Sequence, residues 1–183
     1  MADGLFYNDL REPFMAADQS QVTLSTTAKA LYTASAFPVL GGQYFSRIGK
    51  KLRIRLFGKI TTDGTAGNGN FAVYYGTGAD ANGVLLVSST AVALTTSQAN
   101  MSWMAEIFVH ARSLGSAGTL FCDGYAQFNE AILAARQMIP ATAAVVSGAC
   151  DLTAALIISV QYMRSGAGVW YMTTQDLEVV AMN

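Results

Sequence analysis

Lys51-Leu52-Arg53-Ile54-Arg55-Leu56-Phe57-Gly58-Lys59-Ile60 decides the fold class of this chain. Leu52, Ile54 and Leu56 alternate with Lys51, Arg53 and Arg55. A period of two is what a strand shows when one face meets a core and the other meets water. Phe57-Gly58 interrupts the alternation, and a glycine there reads as a bulge or bend after which Ile60 rejoins the ladder. The pattern returns at greater length from Met101 to Arg112. Met101, Trp103, Ala105, Ile107, Val109 and Ala111 share one side, while Met104, Glu106, Phe108, His110 and Arg112 form a second side that is only half polar.

Further runs extend this reading in both directions. Phe71, Val73 and Tyr75 alternate, Val84 to Val87 is a short apolar run, and Leu120, Cys122, Ala126 and Phe128 share one side of the next segment. Two long strands, Leu152 to Arg164 and Val169 to Met182, close the chain around the tight Ser165-Gly-Ala-Gly168 turn, and Gln21 to Thr26 and Ala30 to Ala34 are early strand candidates. Glycine-rich loops at 63–69, 77–83 and 113–118 punctuate these runs. Asn129 to Ile139 has helix-forming residues behind a capping Asn, so a short helix and an irregular connection are both open there. The expectation is an all-β jelly roll or β-sandwich of eight to ten antiparallel strands over residues 21–183. An extended arm of residues 1–20 precedes it.

That arm has its own character. Leu5, Phe6, Tyr7, Leu10, Phe14 and Met15 lie among Asp3, Asp9, Glu12 and Pro13 with no strand period, and the segment is too short to form a core of its own. Leu5, Phe6, Tyr7, Leu10 and Phe14 are therefore candidates for contact with a partner. Charge is distributed unevenly. Residues 1–28 carry net −3, residues 29–59 carry seven basic residues and no acid, and the remainder carries eight acids against three arginines. The basic strand Lys51, Arg53 and Arg55 reads either as a solvated outer face or as a partner interface for the acids of a neighbouring chain, of which the arm is one candidate.

Composition limits the functional classes. Only 13% of the 183 residues are charged while 52% are hydrophobic, so the chain must bury most of itself. A monomer of this mass exposes roughly 8,500 Å², or about 370 Å² per charged residue, which is thin cover for a solitary protein and points to neighbouring subunits. The first ten residues have acids where a signal peptide has basic residues, and no apolar run is long enough for a transmembrane helix. Cys122 and Cys150 make no disulfide framework and are expected as free core thiols. His110 is the single histidine and has no nucleophile motif beside it, so no catalytic residues are assigned. Scattered Cys and His exclude a zinc site, and the glycine loops lack both the acid pattern of a calcium loop and a phosphate-loop ending. A pI near 5.7 without a stacking platform argues against direct nucleic-acid binding. No cofactor, metal, membrane or small-molecule substrate is expected.

Phe37-Pro-Val-Leu-Gly-Gly-Gln-Tyr-Phe-Ser-Arg-Ile-Gly-Lys-Lys-Leu-Arg-Ile-Arg-Leu-Phe-Gly-Lys-Ile60 resembles the decoration, or cement, proteins of tailed bacteriophage capsids. In that family an apolar segment and an aromatic lead into a Gly-Lys-x-Leu-Arg-Ile strand and a glycine. The resemblance continues loosely through the Trp103 strand, with its Ala111-Arg112-Ser113 end, and through the closing strand pair. Asn129 to Cys150 fits it least. The resemblance implies a homotrimer of jelly-roll subunits, made in the host cytoplasm and seated on the outer surface of the major capsid protein shell of a virion, where it stabilises the shell without enzymatic activity. The alternative is a trimeric receptor-binding or tail-associated jelly roll that recognises a bacterial surface glycan.

Overall fold

The structure, a computed structural model, describes residues 21–182 apart from positions 41, 43, 81, 134 and 144. The N-terminal arm of residues 1–20, with Leu5, Phe6, Tyr7, Leu10 and Phe14, lies outside the described residues. The rest is a β-sandwich of two antiparallel sheets. Its strands are β1 (Val22–Leu24), β2 (Lys29–Ala30), β3 (Lys51–Thr62), β4 (Asn68–Gly76), β5 (Val84–Ser88), β6 (Val92–Ala93), β7 (Gln98–Ser113), β8 (Thr119–Phe128), β9 (Gln137–Ile139), β10 (Ile157–Arg164) and β11 (Trp170–Met182). One sheet has the order β1-β11-β3-β7-β8-β9; the other has β2-β10-β4-β5, with β6 also paired to β4. The eleven described strands exceed the expected eight to ten through β6 and β9, which at two and three residues are too short to show alternation.

Three sequence expectations shift, and the alternatives left open after Asn129 resolve. Gln21 to Thr26 shortens to β1, while the expected strand Ala30 to Ala34 shares only Ala30 with β2 and its last residue opens a 3-10 turn, Ala34–Ala36. The penultimate strand begins at Ile157, not Leu152. Asn129 does cap a turn, its side-chain Oδ1 accepting from the Ala131 N–H at 2.9 Å and its carbonyl from Ile132 and Leu133, but the chain then enters β9 and forms no helix. Gly58 does not bulge β3. Leu52, Ile54, Leu56, Gly58, Ile60 and Thr62 stay in phase and buried, and the register shift falls in β11, between Thr174 and Asp176. Glycine is needed at position 58 for a different reason. A Cβ there would lie 1.9 Å from the Thr173 carbonyl oxygen and 2.9 Å from Trp103 Nε1.

That indole helps to lock the sheets together. Trp103 donates its Nε1–H to the Lys59 carbonyl at 3.1 Å, and its ring lies 5.9 Å from Phe71 on the facing sheet. Phe71 also meets Phe128 at 5.9 Å and Tyr162 edge-on at 4.8 Å. Around this cluster the inward residues of β3, β7 and β8 form a fully buried layer with Ile158, Val160, Met172, Leu177 and Val179. Tyr162 reaches so far in that a Cβ on Gly69 would sit 1.8 Å from its hydroxyl, and that hydroxyl is buried without a hydrogen-bond partner. The crossing from β10 to β11 is held by Arg164, itself 1% exposed. Its Nη1 donates to the Gly166 carbonyl at 2.8 Å and to that of Gly168, while its guanidinium lies 4.8 Å over the Trp170 ring.

Trp103→Ala should cost about 3–5 kcal/mol, since it removes a large apolar side chain and leaves a cavity between the sheets. Chemical denaturation measures this, and an unchanged midpoint would place the indole outside the core. Tyr162→Phe should do the opposite. Deleting a buried hydroxyl that has no partner is expected to leave stability unchanged or raise it by up to about 1 kcal/mol. A loss of more than about 2 kcal/mol in the same assay would show that the hydroxyl is satisfied in solution.

Candidate functional site

The strands that build the core through one face present the other outward. Registers across β11, β3, β7 and β8 place Val180, Arg53, Phe108 and Asp123 in one row. Glu178, Arg55, Glu106 and Tyr125 form the next, which Met138 on β9 extends, and Asp176, Phe57, Met104 and Gln127 form the third. Phe57, Met104, Phe108, Phe121 and Tyr125 are only half-buried, and Met138 is 60% exposed. Beside the β8 edge, Val145 and Val146 are exposed as well, at 63% and 52%. Five aromatic or thioether side chains held half in water on one sheet face are more than scattered surface hydrophobes.

An ion network crosses the middle of this face. Arg53 Nη2 meets Glu178 Oε1 at 2.7 Å, Arg55 Nε meets Glu106 Oε1 at 3.2 Å, and Arg55 Nη1 lies 3.6 Å from Glu178 Oε2. Tyr125 completes it by donating its hydroxyl to Glu106 Oε2 at 3.1 Å. These half-buried pairs still meet water, and such pairs contribute about 0–1 kcal/mol each, so the network fixes side-chain positions more than it stabilises the fold. Of the basic strand, Arg53 and Arg55 therefore already have carboxylates within their own sheet, and neighbouring-chain acids are not needed to pair them. Lys51 lies opposite His110 and has no carboxylate partner among the described residues.

Two hollows open on the face. One of about 330 Å³ is lined by Phe57, Met104, Gln127 and Glu130, and one of about 550 Å³ by Phe108, Asp123, Tyr125, Met138 and Pro140. Arg112 stacks 4.8 Å over Phe121 and Arg136 4.9 Å over Tyr125, so cations rim the apolar patch. The outward residues of β8, namely Phe121, Asp123 and Tyr125, are site residues that the sequence reading passed over. Their phase was available as the complement of Leu120, Cys122 and Ala126. Glu178 could not be placed the same way, because its partner Arg53 is 125 residues away in sequence.

Among the described residues no three His, Cys, Asp or Glu side chains gather where a metal ion could be held, and no helix is long and apolar enough to cross a membrane. Cys122 and Cys150 are free and buried, as expected, and burial raises the pKa of both thiols. His110 lies on the candidate face, with Nε2 3.1 Å from Asp123 Oδ1 and its ring edge-on to Phe121 at 5.6 Å. Burial holds the His110 pKa below its ordinary value; Asp123 pulls it upward, and Lys51 and Arg112 press it down again.

A histidine with a lowered folded-state pKa binds its proton later than the unfolded chain does. Its contribution to stability is present above the ordinary value of 6.5 and is lost as pH falls below that value. Folding stability should therefore decline between about pH 7 and pH 5, before the carboxylates titrate, and His110→Gln should flatten that decline. Denaturation midpoints across this range measure it, and identical slopes for the two proteins would remove His110 from the account. Comparison of the chain with protein-family models, with curated proteins and with solved structures gives no match.

Proposed function

We propose that this chain is a structural virion protein, a capsid decoration protein that forms homotrimers on the outside of a tailed-phage capsid and stabilises the shell. The observation that carries this reading is the second, outward face of the six-stranded sheet, where Phe57, Met104, Phe108, Tyr125 and Met138 stand half in water around an ordered ion network. A chain with so little charge and such a face gains most by closing it against symmetry mates, and closed point-group symmetry does this with one self-repeating contact. Decoration requires surfaces and a rigid frame, not chemistry, and the interlocked sandwich supplies the frame. The resemblance of Phe37 to Ile60 to cement proteins selects three-fold order and the major capsid protein shell as partner.

Native mass spectrometry at micromolar concentration should give three times the 19.4 kDa chain mass. Phe108→Asp should lower the mass to that of the monomer with the β-sheet circular dichroism intact, because it places a charge in the centre of the face without touching the core. Imaging of decorated particles should then show density at three-fold positions of the shell. A stable wild-type monomer, or trimers unaffected by Phe108→Asp, would refute the reading.

A further inference from the structure

We propose that His110 makes assembly depend on pH: protonation of its ring opens the outer face of the six-stranded sheet and releases the homotrimer as folded subunits. The inference rests on the decoration reading for the claim that another copy closes this face, and it adds the condition under which that copy leaves. His110 stands within the face. Register places it between Lys51 on β3 and Phe121 on β8, with Phe108 in the neighbouring row. Its side chain is 15% exposed, and a covering subunit removes that remaining contact with water.

The charges around the ring are lopsided. From β3 come Lys51 and, one row on, Arg53, which Glu178 already holds at 2.7 Å. On β7 itself Arg112 is stacked over Phe121, and Glu106 is taken up by Arg55 and Tyr125. The turn that hydrogen-bonds to Ala111 brings Arg47 and Lys50 to the same end of the strand. From β8 comes Asp123, the one carboxylate within ion-pair distance of His110 among the described residues, with Oδ1 3.1 Å from Nε2. An ionised carboxylate only accepts, so Nε2 of the neutral ring donates to it, and a proton taken up on acidification goes to Nδ1. Burial, aided by Lys51 and Arg112, outweighs the pull of Asp123 and keeps the ring neutral at pH 7. A neutral imidazole bonded to Asp123 passes under a second copy at little cost. A third positive charge beside Lys51 and Arg112 does not, because Asp123 offsets only one of them and the closed face holds no water for the rest.

Each subunit therefore excludes one proton on assembly. Each excluded proton weakens the trimer constant ten-fold per pH unit below the His110 pKa of the free subunit, and half-assembly varies as the square root of that constant. The half-assembly concentration should thus rise about thirty-fold per pH unit. His110 is the single histidine of the chain, so the ring Cε1–H resonance reports it alone. The test follows that resonance and the sedimentation coefficient of the full chain from about pH 7.5 to pH 5, at two concentrations ten-fold apart. The two signals should change together, and the more concentrated sample should change at a pH about 0.7 lower. A ring that titrates at the same pH at both concentrations, or a trimer still intact at the end of the range, would overturn the proposal. His110→Gln keeps a donor for Asp123 but cannot be charged, and its half-assembly concentration should vary less than about three-fold over the range. A dependence as steep as that of the parent chain would remove His110 from the device. Circular dichroism should be unchanged at the pH of dissociation, and loss of the β signal there would mean unfolding instead of opening. A chain that is monomeric at neutral pH defeats the decoration reading and this proposal together, whereas a trimer indifferent to pH defeats the proposal alone.

Discussion

Phe71 and Tyr162, from one sheet, stand against Trp103 and Phe128 from the other, and the rest of the sandwich is arranged so that these four rings can meet. Large rings bury the most apolar area per residue and prefer tilted or edge-on contact, which ties two sheets together at a fixed distance. The constraint propagates into the backbone. Gly58 is bare because the Trp103 indole and the Thr173 carbonyl fill the space above it, and Gly69 is bare because the Tyr162 phenol occupies its side-chain position. Both glycines look like flexibility in the sequence, yet in the structure each makes room for a ring or a neighbouring strand.

With the interior fixed in this way, the outward phase of the same strands has no freedom to repack. Each inward residue of β3 and β7 that is locked in the core sets its outward neighbours at known spacing, so Phe57, Met104 and Phe108 stay at the surface even though water disfavours them. A single protein tolerates isolated exposures of this kind, but here they gather on one face of β3, β7, β8 and β9 with charged residues between them, a larger patch than scattered surface hydrophobes make. The other sheet differs. Its outward residues Ser159 and Gln161 are already buried, with Gln161 donating to the Ala79 carbonyl of the 77–83 loop. Covering by the chain's own loops on one side and an open half-apolar face on the other gives the molecule a direction.

How far this was legible from sequence depends on the range of the interaction involved. The period-two runs of β3, β7 and β8 name the core residues directly, because facing is set by the strand itself. Trp103, Ile107 and Val109 are buried as their phase requires. Gly58 reads as a bulge or bend in the sequence because its reason lies on β7 and β11, far away in sequence, and the register shift opposite it sits in the neighbouring strand β11. The basic stripe was visible, but its partners were not. Glu106 and Glu178 reach Arg53 and Arg55 only through strand pairing that no local pattern encodes. Phe121, Tyr125 and Met138 were missed for a simpler reason, since an outward aromatic is informative only once its neighbours across the sheet are known.

The ion network constrains what can cover the face. Arg53, Arg55, Glu106 and Glu178 are mutually paired at the centre, so a purely apolar partner would strip water from all four charges and offer nothing in return, and that desolvation offsets much of the gain from burying the aromatics. A partner that packs its apolar groups over the flanking hollows and brings carboxylates toward Lys51, Arg112 and Arg136 avoids that cost. It also gives these cations, which have no carboxylate partner among the described residues, a counterpart. Such a surface discriminates more than it binds tightly, because wrong partners fail on the charges before they gain on the rings.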